Sequence, residues 1–312
     1  MKIIVSGATG FVGRNLIPAL LEKGYKITGI SRDKEKLQAI FNQAVDVISW
    51  DELEKLNPDD FTAAINLVGE NIAAHRWSEK QKQTIKDSRV QYTNKLSSWS
   101  LKGKNKSIRI LNASAVGFYG LQEFDDNLPL KLTEKFVPEK DKYSDFLSYI
   151  ARSWEDATRI ATSSGIRVTF LRFGVVLKRN EGMLKKLETP YSFGLGGTLG
   201  SGNQPISWVH IDDLVKAVIY VLENEDITGP VNIVAPECTT QKKLGKTLAD
   251  ILHKPFFFFT PGFVVKIIFG EMGNELLLNG QNIYPERLIE LGFNFSYPSI
   301  KSALEEEYKN SA

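Results

Sequence analysis

The chain has 312 residues and a mass of 35.0 kDa, with a net charge of +2, a sequence pI near 8.4 and a single cysteine, so one large domain or two unequal ones can form around a sizeable core. Basic and acidic residues are interspersed, which excludes a polyelectrolyte-binding tail and with it a nucleic acid partner; the lone Cys238 excludes an internal disulfide, and no cysteine-histidine cluster has zinc-ligand spacing. No apolar run is long enough to span a bilayer and the first strand starts at Lys2, leaving no room for a signal peptide, so no membrane partner and a cytoplasmic location are expected.

The β-rich run Lys2 to Ser6 leads into Gly7, Ala8, Thr9, Gly10, Phe11, Val12 and Gly13, which open an amphipathic pattern running to Lys23. Glycine at these positions lets the backbone turn sharply and approach a pyrophosphate closely, and a helix N-terminus adds free N–H groups and positive potential. This strand-turn-helix reads as a dinucleotide site, although its spacing is G-x-x-G-x-x-G rather than the more familiar G-x-G-x-x-G. Gly24 ends the helix before a second strand, residues 26 to 30, which is followed by Ser31, Arg32 and Asp33. An acid after this strand would hold a ribose 2′-hydroxyl, whereas a basic residue accommodates a 2′-phosphate. Arg32 can pair bidentately with phosphate and Ser31 can donate to it, so NADP(H) is favoured. Asp33 is read as a helix N-cap, with a ribose ligand as the alternative.

Further strands are expected near residues 45 to 49, 62 to 68, 108 to 113 and 166 to 172. A capping box at Ser78 to Gln81 starts a helix to about Leu101, and another helix covers about Asp141 to Ser163. Arg89, on the first of these, either reaches a cofactor phosphate or belongs to a solvated face. This alternation predicts an α/β fold, a doubly wound parallel sheet of Rossmann type with ligand at the C-terminal ends of the strands.

After Val176 the pattern loosens. Residues 194 to 202 are glycine-rich and read as loop, followed by residues 205 to 213 and a helix to Asn224, a strand at 231 to 235, and a helix over about 240 to 252. The run Phe256 to Phe259, bounded by Pro255 and Pro261, reads as a buried strand rather than a ligand-stacking surface. It precedes an apolar helix and a short element at 285 to 291. The expected organisation is a dinucleotide-binding domain over residues 1–180, rejoined by the chain at about 206–235, and a smaller lobe over 181–312.

These residues resemble the extended short-chain dehydrogenase/reductase superfamily, and more narrowly its epimerase-like subfamily, which includes bacterial proteins once labelled cell-division inhibitors and carries a C-terminal domain of unknown function, here residues 255–305. The marks are residues 6 to 13, Ser31-Arg32, 65 to 72, Arg76-Trp77-Ser78, Asp87-Ser88-Arg89, 113 to 120, 171 to 177, 194 to 202, 208 to 213 and Gly270-Glu271-Met272. The resemblance implies NADP(H) held by Gly7, Thr9 to Gly13, Ser31 and Arg32. It also implies Leu67, Val68 and Gly69 on the adenosine and ribose side, and further contacts from Arg89 and Val176.

Active members of that superfamily place a tyrosine and a lysine four residues apart on one helix face, with a serine or threonine orienting the substrate oxygen. Ser114 matches the serine. The pair is missing, because the equivalent positions near residues 147 and 151 hold Leu147 and Ala151. Tyr119 is the best-placed alternative acid and Tyr149 with Arg152 a weaker one, each set against a packing role; His210 reads as structural, bonded to Asp212 or the backbone. Two functions are therefore expected. One is an epimerase or oxidoreductase acting on an unknown small polar or nucleotide-linked substrate. The other is a non-catalytic NADP(H)-binding sensor or scaffold connected with cell division.

Overall fold

The computed structural model describes residues 1–125, 127–140 and 142–309. The first part alternates as expected: β1 (Lys2–Ser6), α1 (Phe11–Glu22), β2 (Lys26–Ile30), α2 (Lys34–Phe41), β3 (Val45–Ile48), β4 (Ala63–Asn66), α3 (Glu79–Ser100), β5 (Arg109–Ala115), α4 (Phe146–Asp156), α5 (Arg159–Ser163) and β6 (Arg167–Phe173). Then follow β7 (Val175–Leu177), α6 (Gly182–Ser192), β8 (Gly196–Leu199), β9 (Pro205–Ile206), β10 (Trp208–His210), α7 (Ile211–Glu223), β11 (Gly229–Ile233), β12 (Thr239–Thr240), α8 (Gln241–Ile251), β13 (Phe256–Thr260), α9 (Gly262–Leu277), α10 (Glu286–Glu290) and α11 (Ile300–Tyr308).

Seven strands form one parallel sheet in the order β11-β6-β5-β4-β1-β2-β3. Successive strand residues point to opposite faces, and both faces are covered. Ile3, Val5 and Ile65 pack with Leu16, Leu20, Leu214 and Val218 of α1 and α7. Ile4 and Ala64 pack on the other side with Leu96, Trp99 and Ala161 of α3 and α5. The strand order reverses between β1 and β4, so a crevice opens at their C-terminal ends. A third cluster, with Leu184, Trp208, Leu248 and Leu304, holds α6, α8 and α11 together.

Three expectations are corrected. The helix expected over Asp141 to Ser163 is two helices: α4 starts at Phe146, capped by Asp145 Oδ1 on Ser148 N at 2.7 Å. It ends where Thr158 Oγ1 donates to the Glu155 carbonyl at 2.8 Å, a side-chain bond that competes with the helix ladder. Asp141 itself lies outside the described residues. The glycine-rich stretch is not all loop, since β8 pairs parallel with β13. A Cβ at Gly197 would stand 2.1 Å from the Phe258 carbonyl oxygen, so glycine is what lets these strands approach. The phenylalanine run is a strand, but not a buried one. Among the described residues β13 pairs only with β8, and of the four phenylalanines Phe256 alone turns inward against Tyr191, with ring centroids 6.4 Å apart, while Phe257, Phe258 and Phe259 are exposed.

Candidate cofactor site

The turn after β1 is built by close backbone approach. Gly7 has φ 71°, and a Cβ there would lie 2.6 Å from the carbonyl of Leu67; a Cβ on Gly13 would lie 2.5 Å from the Gly7 oxygen. Gly10 is the N-cap residue of α1, its N–H donating to Gly7 O at 3.0 Å. The helix has no side-chain cap and no acidic residue in its first turn. Its leading amides and its positive end are thus left for an anion.

The tips of β1 and β4 are tied together behind this turn. Ser6 Oγ donates to Asn66 Oδ1 at 2.5 Å, and Asn66 Nδ2 donates to Thr93 Oγ1 and Asn112 Oδ1 at 2.8 and 2.7 Å. Leu67 N–H donates to Ser6 O at 3.1 Å, which carries Leu67, Val68 and Gly69 past the glycine turn. Arg89 of α3 lies against Gly69, where a Cβ would stand 3.0 Å from Cζ, and over the Trp154 ring at 4.9 Å. It is half-buried, its one hydrogen bond among the described residues goes to Ile85 O within its own helix, and desolvation pushes its guanidinium down to about 10. A desolvated cation without a carboxylate bonded to it suits a ligand phosphate.

At the end of β2, Asp33 is the N-cap of α2, accepting from Lys36 N at 2.9 Å. That leaves Arg32 exposed, with no hydrogen bond or ion pair among the described residues, beside a half-buried Ser31 that donates to Asp33 O. Val176 and Phe11 meet at the start of α6, where a Cβ on Gly182 would be 3.4 Å from Phe11 Cε1 and 3.5 Å from Val176 O. Glycine turn, uncapped helix, Arg32 and Arg89 together fit a dinucleotide carrying a 2′-phosphate.

The hydroxyls expected to do chemistry are placed differently. Ser114 Oγ donates to Glu155 Oε1 at 2.7 Å; Arg172 donates Nε to Oε1 at 2.8 Å and Nη2 to Oε2 at 2.9 Å. Arg172 Nη1 also donates to Tyr119 Oη at 3.0 Å, and that hydroxyl donates to Asn232 Oδ1 at 2.7 Å. All five residues are buried, and burial pushes the Tyr119 phenol up, against the opposing pull of Arg172. Ser114, near the C-terminal end of β5, and Tyr119 are joined through Glu155 and Arg172, both hydroxyls buried and engaged. Of the other candidates, Tyr149 receives a hydrogen bond from Lys86 of α3, a tyrosine-lysine contact across two helices. Tyr149 stands about 200° around α4 from Leu147, so it points away from the side where the missing tyrosine would reach. Arg152 is turned from Tyr149 to the Phe118 and Lys142 carbonyls, at 3.0 and 2.6 Å. His210 Nδ1 accepts from Asp212 N at 3.2 Å, and Nε2 lies 2.8 Å from Glu307 Oε1.

One group at this site had no signal in the sequence. Glu275 of α9 is 5 % exposed and accepts from Phe146 N and Leu147 N at 3.1 and 3.0 Å, capping α4 from outside. Desolvation pushes its carboxyl up to about 7, against the pull of those two amides. Gly270, with φ 62°, breaks α9 just before Glu271, which pairs with Lys82 of α3, so the second half of α9 bridges α3 and α4.

Sheet order and glycine turn define a Rossmann-type dinucleotide-binding protein of the short-chain dehydrogenase/reductase kind. The NAD dependent epimerase/dehydratase family profile matches residues 3–234 and that of a domain of unknown function, DUF1731, residues 260–307. The chain belongs to the NAD-dependent epimerase/dehydratase family. It is 34% identical to the epimerase family protein SAR0825 of Staphylococcus aureus over 98% of both chains, and 34% identical to the epimerase family protein YfhF of Bacillus subtilis over 97% of both. Its structure is similar to that of the human epimerase family protein SDR39U1 (isoform 2), solved with NADPH: TM-score 0.87, 32% identity, covering 99% of this chain and 100% of that one. A UDP-glucuronic acid 4-epimerase from Bacillus cereus shares the fold at TM-score 0.75 and 20% identity, over 99% and 98% of the two chains.

Proposed function

We propose that this chain binds NADP(H) and works as an epimerase or oxidoreductase on a small polar or nucleotide-linked compound. The observation that carries the reading is the uncapped, acid-free start of α1 after β1 together with the exposed Arg32 after the neighbouring strand β2, a combination suited to a pyrophosphate and a 2′-phosphate. The human relative solved with NADPH supports the cofactor. The nicotinamide group supplies or accepts hydride when bound. The chain's own residues would hold it: the α1 amides the pyrophosphate, Arg32 the 2′-phosphate, Arg89 a further phosphate oxygen, and Leu67, Val68, Phe11 and Val176 would keep water from it. The lone Cys238, which no second cysteine can bridge, suits a reducing compartment, and we place the protein in the cytoplasm.

A second reading is favoured by a specific observation. Leu147 and Ala151 cannot transfer a proton, and the Ser114 and Tyr119 hydroxyls are engaged with Glu155, Arg172 and Asn232. This supports a cofactor-binding sensor or scaffold that turns nothing over.

Purified protein with NADPH, offered a panel of carbonyl compounds and UDP- and dTDP-sugars, separates the readings. Turnover or deuterium exchange at the nicotinamide supports the enzyme. Tight NADPH binding with neither assigns the second reading, and no binding of either nicotinamide dinucleotide overturns both.

A further inference from the structure

The C-terminal part of the chain leaves a run of large apolar side chains exposed. Phe193 and Leu195 are 77 and 53 % exposed, Phe257 and Phe259 of β13 are 69 and 64 % exposed, and Phe263 and Ile267 of α9 are 66 and 68 % exposed. These segments adjoin. Gly194 backs onto Pro255, where a Cβ would stand 3.3 Å from Cγ, and β13 passes into α9 through Pro261 alone. In the first half of α9, before the break at Gly270, only Val265 is buried. With roughly 200 Å² per large apolar side chain, these six expose on the order of 800 Å². That exceeds the patch of about 300–600 Å² that an ordinary monomer leaves open.

The surrounding charge selects the occupant. From Gln241 to Gly270 the chain carries Lys242, Lys243, Lys246, Lys254 and Lys266 against one acid, Asp250, and no acid lies between Ile251 and Gly270. Lys243 is paired with Glu237, while Lys254 and Lys266 are exposed beside the phenylalanines and have no ion pair among the described residues. A second copy placed on this face by a two-fold axis would bring the same lysines toward each other. An anionic surface meets them favourably, and large apolar side chains fringed by lysine are what inserts at a headgroup boundary. We propose that the face formed by residues 193–195, β13 and the first half of α9 docks the protein on an anionic lipid surface. The expectation of no membrane partner rested on the lack of a spanning run, and indeed no helix among the described residues is long and apolar enough to cross a membrane; surface docking does not require one.

The test is co-sedimentation of the full chain with vesicles of phosphatidylcholine containing phosphatidylglycerol, and with phosphatidylcholine alone. Binding to the anionic vesicles should be at least about tenfold tighter and weaken with added salt. Lys254→Glu with Lys266→Glu should remove the preference, and Phe257→Ser with Phe263→Ser should lower binding by about tenfold or more. NADPH affinity and circular dichroism should stay unchanged in both variants, which separates this outcome from misfolding and from failure of the cofactor reading. Equal binding to both vesicle types, no binding to either, or wild-type binding by both variants overturns the proposal. A concentration-dependent dimer that the phenylalanine variant dissociates, without vesicle binding, assigns the face to a second copy and also overturns it.

Discussion

The Glu155 carboxylate is gripped by both arms of the Arg172 guanidinium, Nε at 2.8 Å and Nη2 at 2.9 Å, between α4 and β6. Both side chains are buried, and Ser114 and Tyr119 hang from the same pair. Removing one partner leaves an uncompensated interior charge, so Arg172→Ala should lower unfolding free energy by about 3–5 kcal/mol in urea titration. Ser114→Ala should cost about 1 kcal/mol and leave NADPH affinity alone. If any substrate is turned over, Ser114→Ala should not slow it greatly. A fall of about 10²–10⁴-fold with stability intact would instead make Ser114 a catalytic group.

Arg32 stands clear of the fold, and Asp33 is committed to α2. Arg32→Ala should therefore raise the Kd for NADPH about 10- to 100-fold, the loss of a charge-assisted contact of about 1.5–3 kcal/mol, and leave NADH nearly unchanged. Calorimetric titration of both cofactors checks it. Equal losses would place the 2′-phosphate elsewhere.

A methyl group at Gly13 would meet the oxygens of Gly7 and Ala8 at 2.5 and 2.7 Å, backbone that has nowhere to move. Gly13→Ala should reduce stability by about 1–3 kcal/mol and weaken NADPH and NADH together. Gly24→Ala is the control, because its Cβ would meet nothing within 4 Å; whatever its positive φ costs in stability, cofactor affinity should hold.

Glu275 sets a pH dependence. Its carboxyl is raised by desolvation from 4.5 to about 7, with Asp145 and Glu271 adding to the rise. A raised carboxyl contributes stability that is complete below its unfolded value and disappears as pH climbs through the folded one. The Tm of the wild type relative to Glu275→Gln should therefore fall between about pH 5 and pH 8. A difference that stays flat across that interval would mean the two amides of α4 hold the carboxylate ionised throughout.

How much of this was legible in the sequence follows from range. The glycine turn, Arg32 and the N-cap at Asp33 depend on neighbours a few residues away, and the strands of the main sheet, covered on both faces, are short continuous apolar runs bounded by turns, so local pattern sufficed. The network around Glu155 did not show, because it joins residues 41, 17 and 113 positions apart that carry no common motif. Glu275 reaches α4 over 128 positions and stands in a mostly apolar helix with no motif to single it out. The phenylalanine run misled for a physical reason. A bounded apolar run signals a strand, and burial then depends on a second layer, which β13 has on the side of Phe256 alone.

The uncapped first turn of α1 has a consequence beyond affinity. The helix lacks a closing partner that the chain does not itself provide, and an anion that closes it binds the folded chain only. By mass action the free energy of unfolding then climbs with the logarithm of free cofactor, by about 2.7 kcal/mol at a hundredfold excess over Kd. Resistance to proteolysis and heat should rise and fall with the supply of nicotinamide dinucleotide, so that the abundance of this protein becomes a record of it.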